Sequence, residues 1–471
     1  MNKVILRLIS LSALTLFVQS CGPFKTTCSL ISGDKTGAVK KRENYRGWNS
    51  ISMSNGIIEL NVVPEIGGRV VQYTLDDKEF FWVNPDLEGK LPTETGLTED
   101  GGWLNYGGDK LWPAPQGWDN DQQWPGPPDA VLDGQPYVLE QLPEGKDGSV
   151  ALRLTSGKDM RSGISFSRVI RLHPNSTRVS IEATMTNVDN KPRRWGIWAH
   201  TQLDGASADG KTYNSQMNAY CPINPKSHFE KGYDVIFGEE DNPSFQPDYE
   251  NNMMKVNYQY RVGKIGMDSD AGWIATVDGQ TGDVFVHRFV YEPDKKYPDG
   301  SSVEFWHNGV GSIFAYNETM VMPDSPKENA YVFESEVLSP FAKLQPGQEY
   351  TYHYEWYAAK IPSGVGVIDC TEAGVTCEPL TAKLVGDTLN ISGKFGVFYD
   401  GTISISAIDN NGNRMKTLAT GIKVSPLEGL ELNVNIDSVT GFSKAANVSI
   451  SVFDKNEKLI GKLADTVIAE K

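Results

Sequence analysis

The sequence predicts an all-β protein with two parts, a large antiparallel β-sandwich followed by a smaller β-sandwich. Short runs of alternating apolar and polar residues are separated by turns rich in Gly, Asn and Asp, as in antiparallel strands. No long segment shows the 3.6-residue period of an amphipathic helix. The composition changes near residue 362, because all eleven tryptophans lie at or before Trp356. These three observations define the fold class and the division of the chain.

Length and charge restrict the kind of protein further. The chain has 471 residues, more than one ordinary hydrophobic core needs, so we expect two domains. A hydrophobic content of 39% with 10% aromatic residues is typical of a globular protein. The net charge of −16 argues against nucleic acid and against an anionic membrane surface as partners. The net charge neither favours nor excludes an uncharged ligand such as a sugar.

Residues 1–21 have the pattern of a targeting segment. Lys3 and Arg7 precede the apolar run "LISLSALTLFV", and "VQSC" follows, ending at Cys21. This order resembles a bacterial lipoprotein signal, in which the cysteine becomes the lipidated first residue. The alternative is a plain secretory signal cut near Ser20. In either case we expect the protein to leave the cytoplasm. With the lipoprotein signal it would be an envelope protein, periplasmic or surface-facing, held by its lipid and by no membrane-spanning segment.

The next segments are interpreted in chain order. Residues 22–45 are polar and are predicted to be a tether, and the first domain is predicted to span residues 46–362. "RVSIEATMTNV" alternates so that Val179, Ile181, Ala183 and Met185 share one face of a strand. "GWIATVDGQTGDVFVHRFVY" consists of two such runs around a Gly/Asp-rich turn, which predicts a hairpin.

Residues 363–378 are interpreted as a linker. Cys370 and Cys377 lie within it, and in an oxidising compartment we expect them to form a local disulfide. Residues 379–471 contain short alternating strands with Asn-Gly and Asp-Lys-Asn turns, a pattern that fits an immunoglobulin-like β-sandwich. This segment contains no His and no Trp, so no chemistry is assigned to it.

Two stretches of the first domain, near its start and its end, are "PEIGGRVVQYTLDDKEFFWVNP" and "YVFESEVLSPFAKLQPGQEYTYHYEWYAAK". They resemble the opening and the closing strands, respectively, of the galactose-mutarotase-like superfamily. The resemblance extends over about residues 45–360, and "GGDKLWPAPQ" looks like a mark of an uncharacterised bacterial branch, here a lipoprotein. It implies a large β-supersandwich whose concave face holds a carbohydrate.

The same resemblance suggests catalytic residues. "WGIWAHTQL" is similar to the family strand whose histidine acts as general acid toward the sugar ring oxygen, which here is His200. The family's general base corresponds to Glu334 or Glu336 in "FESEVL"; spacing favours Glu334, but both share one strand face. Arg69 matches an arginine near the cleft. The earlier histidine of the family's sugar epimerases is absent, because no histidine precedes His173.

The segment "WLNYGGDKLWPAPQGW", residues 103–118, takes the place of that missing histidine. We expect Gly and Pro to keep it out of regular structure and at the surface, where it would line the cleft; the alternative is an aromatic core under a long loop. Aromatic rings stack on the apolar faces of sugars while polar groups bind the hydroxyls. The predicted binding residues in this segment are Trp103, Asp109, Lys110, Trp112, Gln116 and Trp118.

His287 and Arg288 in "VFVHRFVY" are further binding candidates, and as strand neighbours they must point to opposite faces. No metal and no cofactor are predicted, because the acidic stretches "WDNDQQW" and "DGASADG" are better interpreted as turns than as calcium loops.

Three functions remain open from the sequence. The first is a carbohydrate-active enzyme working at or near the anomeric carbon, by epimerisation or by bond cleavage as a hydrolase or lyase. In the hydrolase case Asp109 and Glu334 would supply the pair of carboxylates. The second is a non-catalytic sugar-binding lipoprotein, and the third is a structural or assembly role. The expected partners are a carbohydrate ligand and a lipid anchor, without nucleic acid, and the protein is expected to be a monomer.

Overall fold

The computed structural model describes residues 37–409, 411–437 and 447–470, which belong to one compact unit, Lys35–Lys471. The predicted signal peptide, Cys21 and most of the predicted tether lie outside the described residues. Residues 38–45, also predicted as tether, instead form the edge strand of the first sheet. Among the described residues, the structure contains no helix of the length and apolar character needed to span a bilayer.

Strands make up nearly all of the regular secondary structure of the described chain. The first twelve are β1 (Ala38–Tyr45), β2 (Trp48–Ser54), β3 (Ile58–Val63), β4 (Arg69–Leu75), β5 (Lys78–Glu79), β6 (Asp109–Ala114), β7 (Val138–Gln141), β8 (Val150–Thr155), β9 (Ile164–Leu172), β10 (Val179–Asn187), β11 (Arg193–Asp204) and β12 (Met217–Pro222). The next twelve are β13 (Asp234–Gly238), β14 (Phe245–Asp248), β15 (Met253–Asn257), β16 (Gly263–Met267), β17 (Trp273–Asp278), β18 (Asp283–Phe289), β19 (Val303–His307), β20 (Gly311–Ala315), β21 (Glu318–Met322), β22 (Val332–Leu338), β23 (Ala342–Leu344) and β24 (Glu349–Lys360). Short helical turns occupy Pro85–Leu87, Ala130–Gly134 and Pro298–Gly300.

Two large antiparallel sheets form the first domain. The first sheet has the order β1-β2-β3-β4-β6-β11-β22-β19-β16-β13, with β5 paired to β4 and β23 paired to β11. The second sheet has the order β14-β15-β12-β17-β18-β24-β10-β9-β8-β7. A separate hairpin, β20–β21, stands apart from both sheets. The predicted all-β supersandwich is confirmed by this architecture.

The core between the two sheets follows from strand alternation. Val179, Ile181, Ala183 and Met185 of β10 are all buried, as predicted, while the residues between them are partly or fully exposed. The predicted hairpin is also confirmed, since β17 and β18 pair antiparallel. The central strands β6 and β22 of the first sheet are buried along their whole length. One face of these strands meets the core, so the other face must be covered or lie at the bottom of a cleft.

The C-terminal part is one eight-stranded sheet with its own apolar core. Its strands are β25 (Asp369–Cys370), β26 (Gly374–Val385), β27 (Thr388–Val397), β28 (Gly401–Ile408), β29 (Arg414–Val424), β30 (Leu430–Ile436), β31 (Asn447–Asp454) and β32 (Leu459–Glu470). Buried residues from β27, β28 and β31, such as Ile391, Ile405 and Ile450, share one apolar cluster. β25 and the start of β26 lie in the segment predicted as a linker, so this sheet begins earlier than expected.

The predicted disulfide is wrong, because Cys370 and Cys377 are both free thiols. Cys370 pairs with Val375 across β25 and β26, which places Cys377 two residues further along the neighbouring strand. Diagonal neighbours of this kind are too far apart for the short Cβ–Cβ distance of a disulfide. Both cysteines instead join an apolar cluster with the outer face of the second sheet, including Tyr357, which stacks on Phe398 at 4.5 Å between ring centroids.

Candidate functional site

The cleft lies on the face of the first sheet that points away from the second sheet. In the pairing of the strands, His200 on β11 is directly opposite Glu336 on β22, and Glu336 is directly opposite Glu304 on β19. One step along, Gln202 is opposite Glu334, and Glu334 is opposite Trp306. Because alternate residues share a strand face, these side chains all point to the cleft side. Five strand segments distant in sequence, on β6, β11, β22, β19 and β16, thus supply one site.

A buried network of charges forms the floor of this cleft. The His200 ring donates from Nδ1 to Oε1 of Glu336 at 2.6 Å, and its Nε2 lies 3.3 Å from Oε1 of Glu334. Nζ of Lys264 lies 2.9 Å from Oε2 of Glu336 and 2.6 Å from Oε2 of Glu304. All five side chains are at most 8% exposed. The network therefore alternates acidic and basic side chains across four strands.

Burial and neighbouring charges set the protonation of this network. Burial would lower the pKa of His200, but Glu334 above all, with Glu336, holds it above its ordinary value. Burial would raise the pKa of Glu336, but Lys264 and the hydrogen bond from His200 bring it down to about 2. Burial raises the pKa of Glu304 to about 8, against the opposing effect of Lys264. The raised pKa of His200 favours its imidazolium form. At neutral pH, a pKa of about 2 makes Glu336 a carboxylate and a pKa of about 8 leaves Glu304 protonated.

One wall of the cleft is a group of tryptophans held by a buried carboxylate. Asp133, in the helical turn Ala130–Gly134, accepts hydrogen bonds from the indole Nε1 of Trp103 at 2.7 Å and of Trp112 at 3.0 Å. Arg69 balances its charge at 2.9 Å. Burial would raise the pKa of Asp133, but Arg69 and then Lys110 hold it below its ordinary value. Trp112 in turn stacks on the His200 ring, with 4.1 Å between centroids and 24° between planes. The wall thus fixes the orientation of the histidine.

The cleft is large and rich in aromatic side chains. Its volume is about 570 Å³. The residues that line its floor are His200, Gln202, Lys264, Glu334 and Glu336. The tryptophans that line it are Trp82, Trp103, Trp112, Trp118, Trp198 and Trp306. An enclosed, mostly apolar cavity with a few convergent polar groups is the usual form of a small-molecule site.

Residues 49–359, which include every residue of this site, match one protein family, the "Domain of unknown function (DUF4380)". This chain belongs to the DUF4380 family. No curated protein matches the chain. The family match covers both large sheets apart from the edge strand β1, and it ends before the C-terminal sheet.

Solved structures resemble the DUF4380 domain in fold at low identity. A galactose mutarotase-like protein from Clostridium acetobutylicum is 10% identical, with 69% of this chain and 100% of that chain covered and a TM-score of 0.42. A putative mutarotase from Salmonella typhimurium is 11% identical, with 68% and 94% covered and a TM-score of 0.43. A TPR-domain containing protein from Parabacteroides distasonis is 11% identical over 69% of this chain, with a TM-score of 0.42, and the match spans only 53% of that protein.

The DUF4380 domain brings together several residues predicted from sequence. His200 meets both Glu334 and Glu336, and Trp103, Trp112, Trp118 and Gln116 line the same cleft. Residues 109–114, expected as an irregular surface segment, are instead the central strand β6, and Trp112 is only 4% exposed. The Gly107–Gly108 turn, with φ of 85° and 71°, leads into this strand. A Cβ at Gly107 would lie 2.1 Å from the Trp82 carbonyl oxygen, so only glycine fits there.

The prediction that Asp109 and His287 line the cleft is wrong. Asp109 is on the opposite face of β6, fully buried between the sheets, where it pairs with Arg168 and accepts from Thr201 at 2.7 Å. His287 lies 3.1 Å from the same Thr201 hydroxyl, and burial lowers its pKa to about 3. Both belong to a polar network inside the core. Asp109 therefore cannot serve with Glu334 as the carboxylate pair of a glycoside hydrolase.

Arg69, Lys110 and Arg288 also lie outside the cleft lining. Arg69 is fully buried behind the wall on Asp133. Lys110 is 1% exposed and lies under the wall, with Nζ 4.6 Å from the Trp112 ring centroid. Arg288 neighbours His287 on β18 of the second sheet and points to its other side, as alternation predicts. The first two support the aromatic wall, and the third belongs to the other sheet.

Lys264, Glu304 and Asp133 were not identified from sequence. Lys264 and Glu304 are single charges in the short apolar strands "GKIGM" and "VEFWH". A charged side chain in an apolar strand is buried only when a partner balances its charge. A single charge in such a strand is therefore the sequence signal that could have identified Lys264 and Glu304 as members of a buried network. The donor atoms of His200, Glu334 and Glu336 lie within 4.8 Å of one another, a set that could ligate a metal ion. The two nitrogens of His200 face different carboxylates, and Lys264 already neutralises Glu336, so the arrangement suits proton exchange better.

Proposed function

We propose that the cleft binds a carbohydrate and transfers protons at or next to its anomeric carbon. The observation that carries the proposal is the position of His200, between the carboxyl groups of Glu334 and Glu336 on the floor of a tryptophan-lined cleft. Its Nδ1 is engaged by Glu336, so its Nε2 faces the side of Glu334. His200 is then the acid and Glu334 the base. Glu336 positions the ring.

The close spacing of His200 and Glu334 supports this chemistry over hydrolysis. Opening and closing of a pyranose ring takes a proton from the hydroxyl on C1 and gives a proton to the ring oxygen, and both oxygens are bonded to C1. An acid and a base side by side, 3.3 Å apart, suit two neighbouring oxygens. Ordinary glycoside hydrolysis instead needs two free carboxyl groups on either side of the bond. Glu336 is not free, because Lys264 and His200 hold it.

The location of the protein is proposed from the N-terminal sequence. Lys3, Arg7, the apolar run and Cys21 support a lipid-anchored protein of the bacterial envelope in this branch of the superfamily. A cleft of this kind would then meet sugars outside the cytoplasm.

The test is binding followed by anomer exchange. Wild-type protein is screened against a glycan array, and any sugar bound is examined by exchange NMR between its α and β anomers. We expect the His200→Gln and Glu334→Gln variants to keep binding within about tenfold and to lose the acceleration by 10²-fold or more. His353→Gln, at an exposed histidine on β24, is the matched control and should behave as wild type. Binding without any acceleration by the wild type would make the protein a non-catalytic binder.

A second measurement tests the acid directly. The ring proton of His200 should titrate with a midpoint above 6.5 in histidine NMR spectra, whereas burial keeps His287 and His307 neutral with pKa values of about 3 and 4. The signal is assigned by its loss in His200→Gln. A His200 midpoint below 6 would remove the acid from the mechanism.

A further inference from the structure

The cleft extends far beyond the His200–Glu334 pair. Its floor crosses neighbouring strands in the order β11, β22, β19, β16 and β13. Phe237 on β13 lines the same cavity four strands away from His200, about 19 Å along the sheet at about 4.8 Å per strand. Trp306 on β19 lies half-way between them. A single pyranose ring held at His200 cannot touch Phe237.

The distant part of the cleft is an aromatic platform under a roof. Phe237 packs edge-on against Trp306, with 5.9 Å between ring centroids, and both are only partly buried. The hairpin β20–β21 covers part of this platform with one of its faces, where Met320 and Met322 share one apolar cluster with Phe237 and Trp306. Tyr316, at the tip of the hairpin, contacts Trp118 across the cleft at 4.8 Å between centroids.

The two faces of the hairpin β20–β21 differ in their exposure to solvent. Ile313, Met320 and Met322 face the cleft, whereas Phe314 and Val321 on the other face are 63% and 77% exposed. The aromatic platform bears no buried charge beyond Lys264, which is already paired with two glutamates. Partly exposed rings with polar groups at the rim suit the apolar faces of further sugar rings.

We propose that the ligand is an uncharged oligosaccharide. Its reducing-end ring lies at His200 and Glu334, and the following rings cross Trp306 toward Phe237 beneath the hairpin β20–β21. This inference rests on the proposed function and specifies its substrate class. A free monosaccharide at His200 would leave the parts of Trp306 and Phe237 that Met320 and Met322 do not cover without a ligand. The cleft volume of about 570 Å³ also lies in the range of pockets that hold ligands larger than one hexose.

The test compares ligand length in isothermal titration calorimetry. The probes are malto-, cello-, xylo- and galacto-oligosaccharides of one to four rings. We expect the wild-type affinity to rise about tenfold or more between one and three rings in one of these series. Phe237→Ala should abolish this rise while leaving the monosaccharide affinity unchanged. Phe314→Ala, on the exposed face of the hairpin, is the matched control and should retain the whole rise.

Tyr316→Ala gives a second test. Because Tyr316 is 46% exposed, we expect this variant to fold like the wild type. It should reduce the affinity for three rings and not for one. Equal wild-type affinity for one and three rings overturns the inference, and the proposed function survives if His200→Gln still abolishes anomer exchange. Loss of monosaccharide affinity in Phe237→Ala also overturns the inference, since Phe237 would then touch the first ring. Absence of binding to every series overturns both proposals.

Discussion

Replacing Lys264 by methionine tests the charge network most directly. Methionine keeps most of the volume of the lysine stem and removes the ammonium group. The lysine side chain is 5% exposed, and its partners Glu304 and Glu336 are 2% and 0% exposed. Without Lys264, the buried carboxylate of Glu336 keeps only His200 as a positive neighbour. Glu304, whose pKa is already raised to about 8, would hold its proton.

The expected loss of unfolding free energy is about 3 kcal/mol. Two charges 2.9 Å apart attract by about 6 kcal/mol at an effective dielectric constant of about 20. The variant also avoids the desolvation of the ammonium group, which offsets part of this loss. Removing one partner from a buried ion pair costs about 3–5 kcal/mol in general. Because Glu336 keeps its contact with His200, we expect the loss in Lys264→Met to lie at the lower end of this range.

Urea unfolding followed by tryptophan fluorescence at pH 7 measures this loss. The control is Arg153→Met, which breaks the Arg153–Glu140 pair, 43% and 57% exposed, and should cost less than about 1 kcal/mol. In the double variant with Glu336→Gln, part of the loss should be recovered, because no buried carboxylate is left unpaired. A loss in Lys264→Met no larger than that of Arg153→Met would show that the network is not a buried set of charges.

Three further predictions concern pH, anchoring and the domain contact. The pKa of Glu304 is about 8 in the folded chain, whereas its ordinary value is 4.5. Between these two pH values the folded chain holds a proton that the unfolded chain has lost. The free energy of unfolding of the wild type should therefore fall by about 1 kcal/mol per pH unit as the pH rises from 4.5 to 8. Glu304→Gln should remove that slope in urea unfolding. Cys21→Ser should move the protein from the membrane to the soluble fraction in cell fractionation; retention in membranes would contradict the lipid anchor. Phe398→Ala should cost about 3–5 kcal/mol in thermal unfolding, because Phe398 is fully buried against Tyr357, whereas the exposed Phe314→Ala should cost under about 0.5 kcal/mol.

Much of the fold could be predicted because strand alternation is a local property. The pattern around Val179 and Met185 assigns one face of β10 to the core without any knowledge of its neighbours. The loss of tryptophan after Trp356 likewise lies close to the point where the two large sheets end and the C-terminal sheet begins. Local patterns were less reliable at the boundaries. Residues 38–45 and 374–378 look polar or irregular and still form strands, because a neighbouring strand offers them backbone hydrogen bonds.

The site was predictable only in part. The alternation of Glu334 and Glu336 on one strand, with the resemblance of the His200 segment, placed three side chains that the structure brings within hydrogen-bonding reach. Alternation also requires Asp109 and Lys110 to point to opposite sides of β6, but it does not say which side is the core. The tertiary structure directs Asp109 inward to Arg168 and Lys110 toward the tryptophan wall.

By itself, then, the sequence determined the all-β class, the two parts of the chain and the strand faces that carry His200, Glu334 and Glu336. Only the tertiary structure decided that Lys264 and Glu304 complete the network and that Cys370 is opposite Val375 rather than Cys377. The physical reason is register. A strand shows its period locally, but the residue opposite each position depends on how strands distant in sequence align when both sheets bury their apolar faces together.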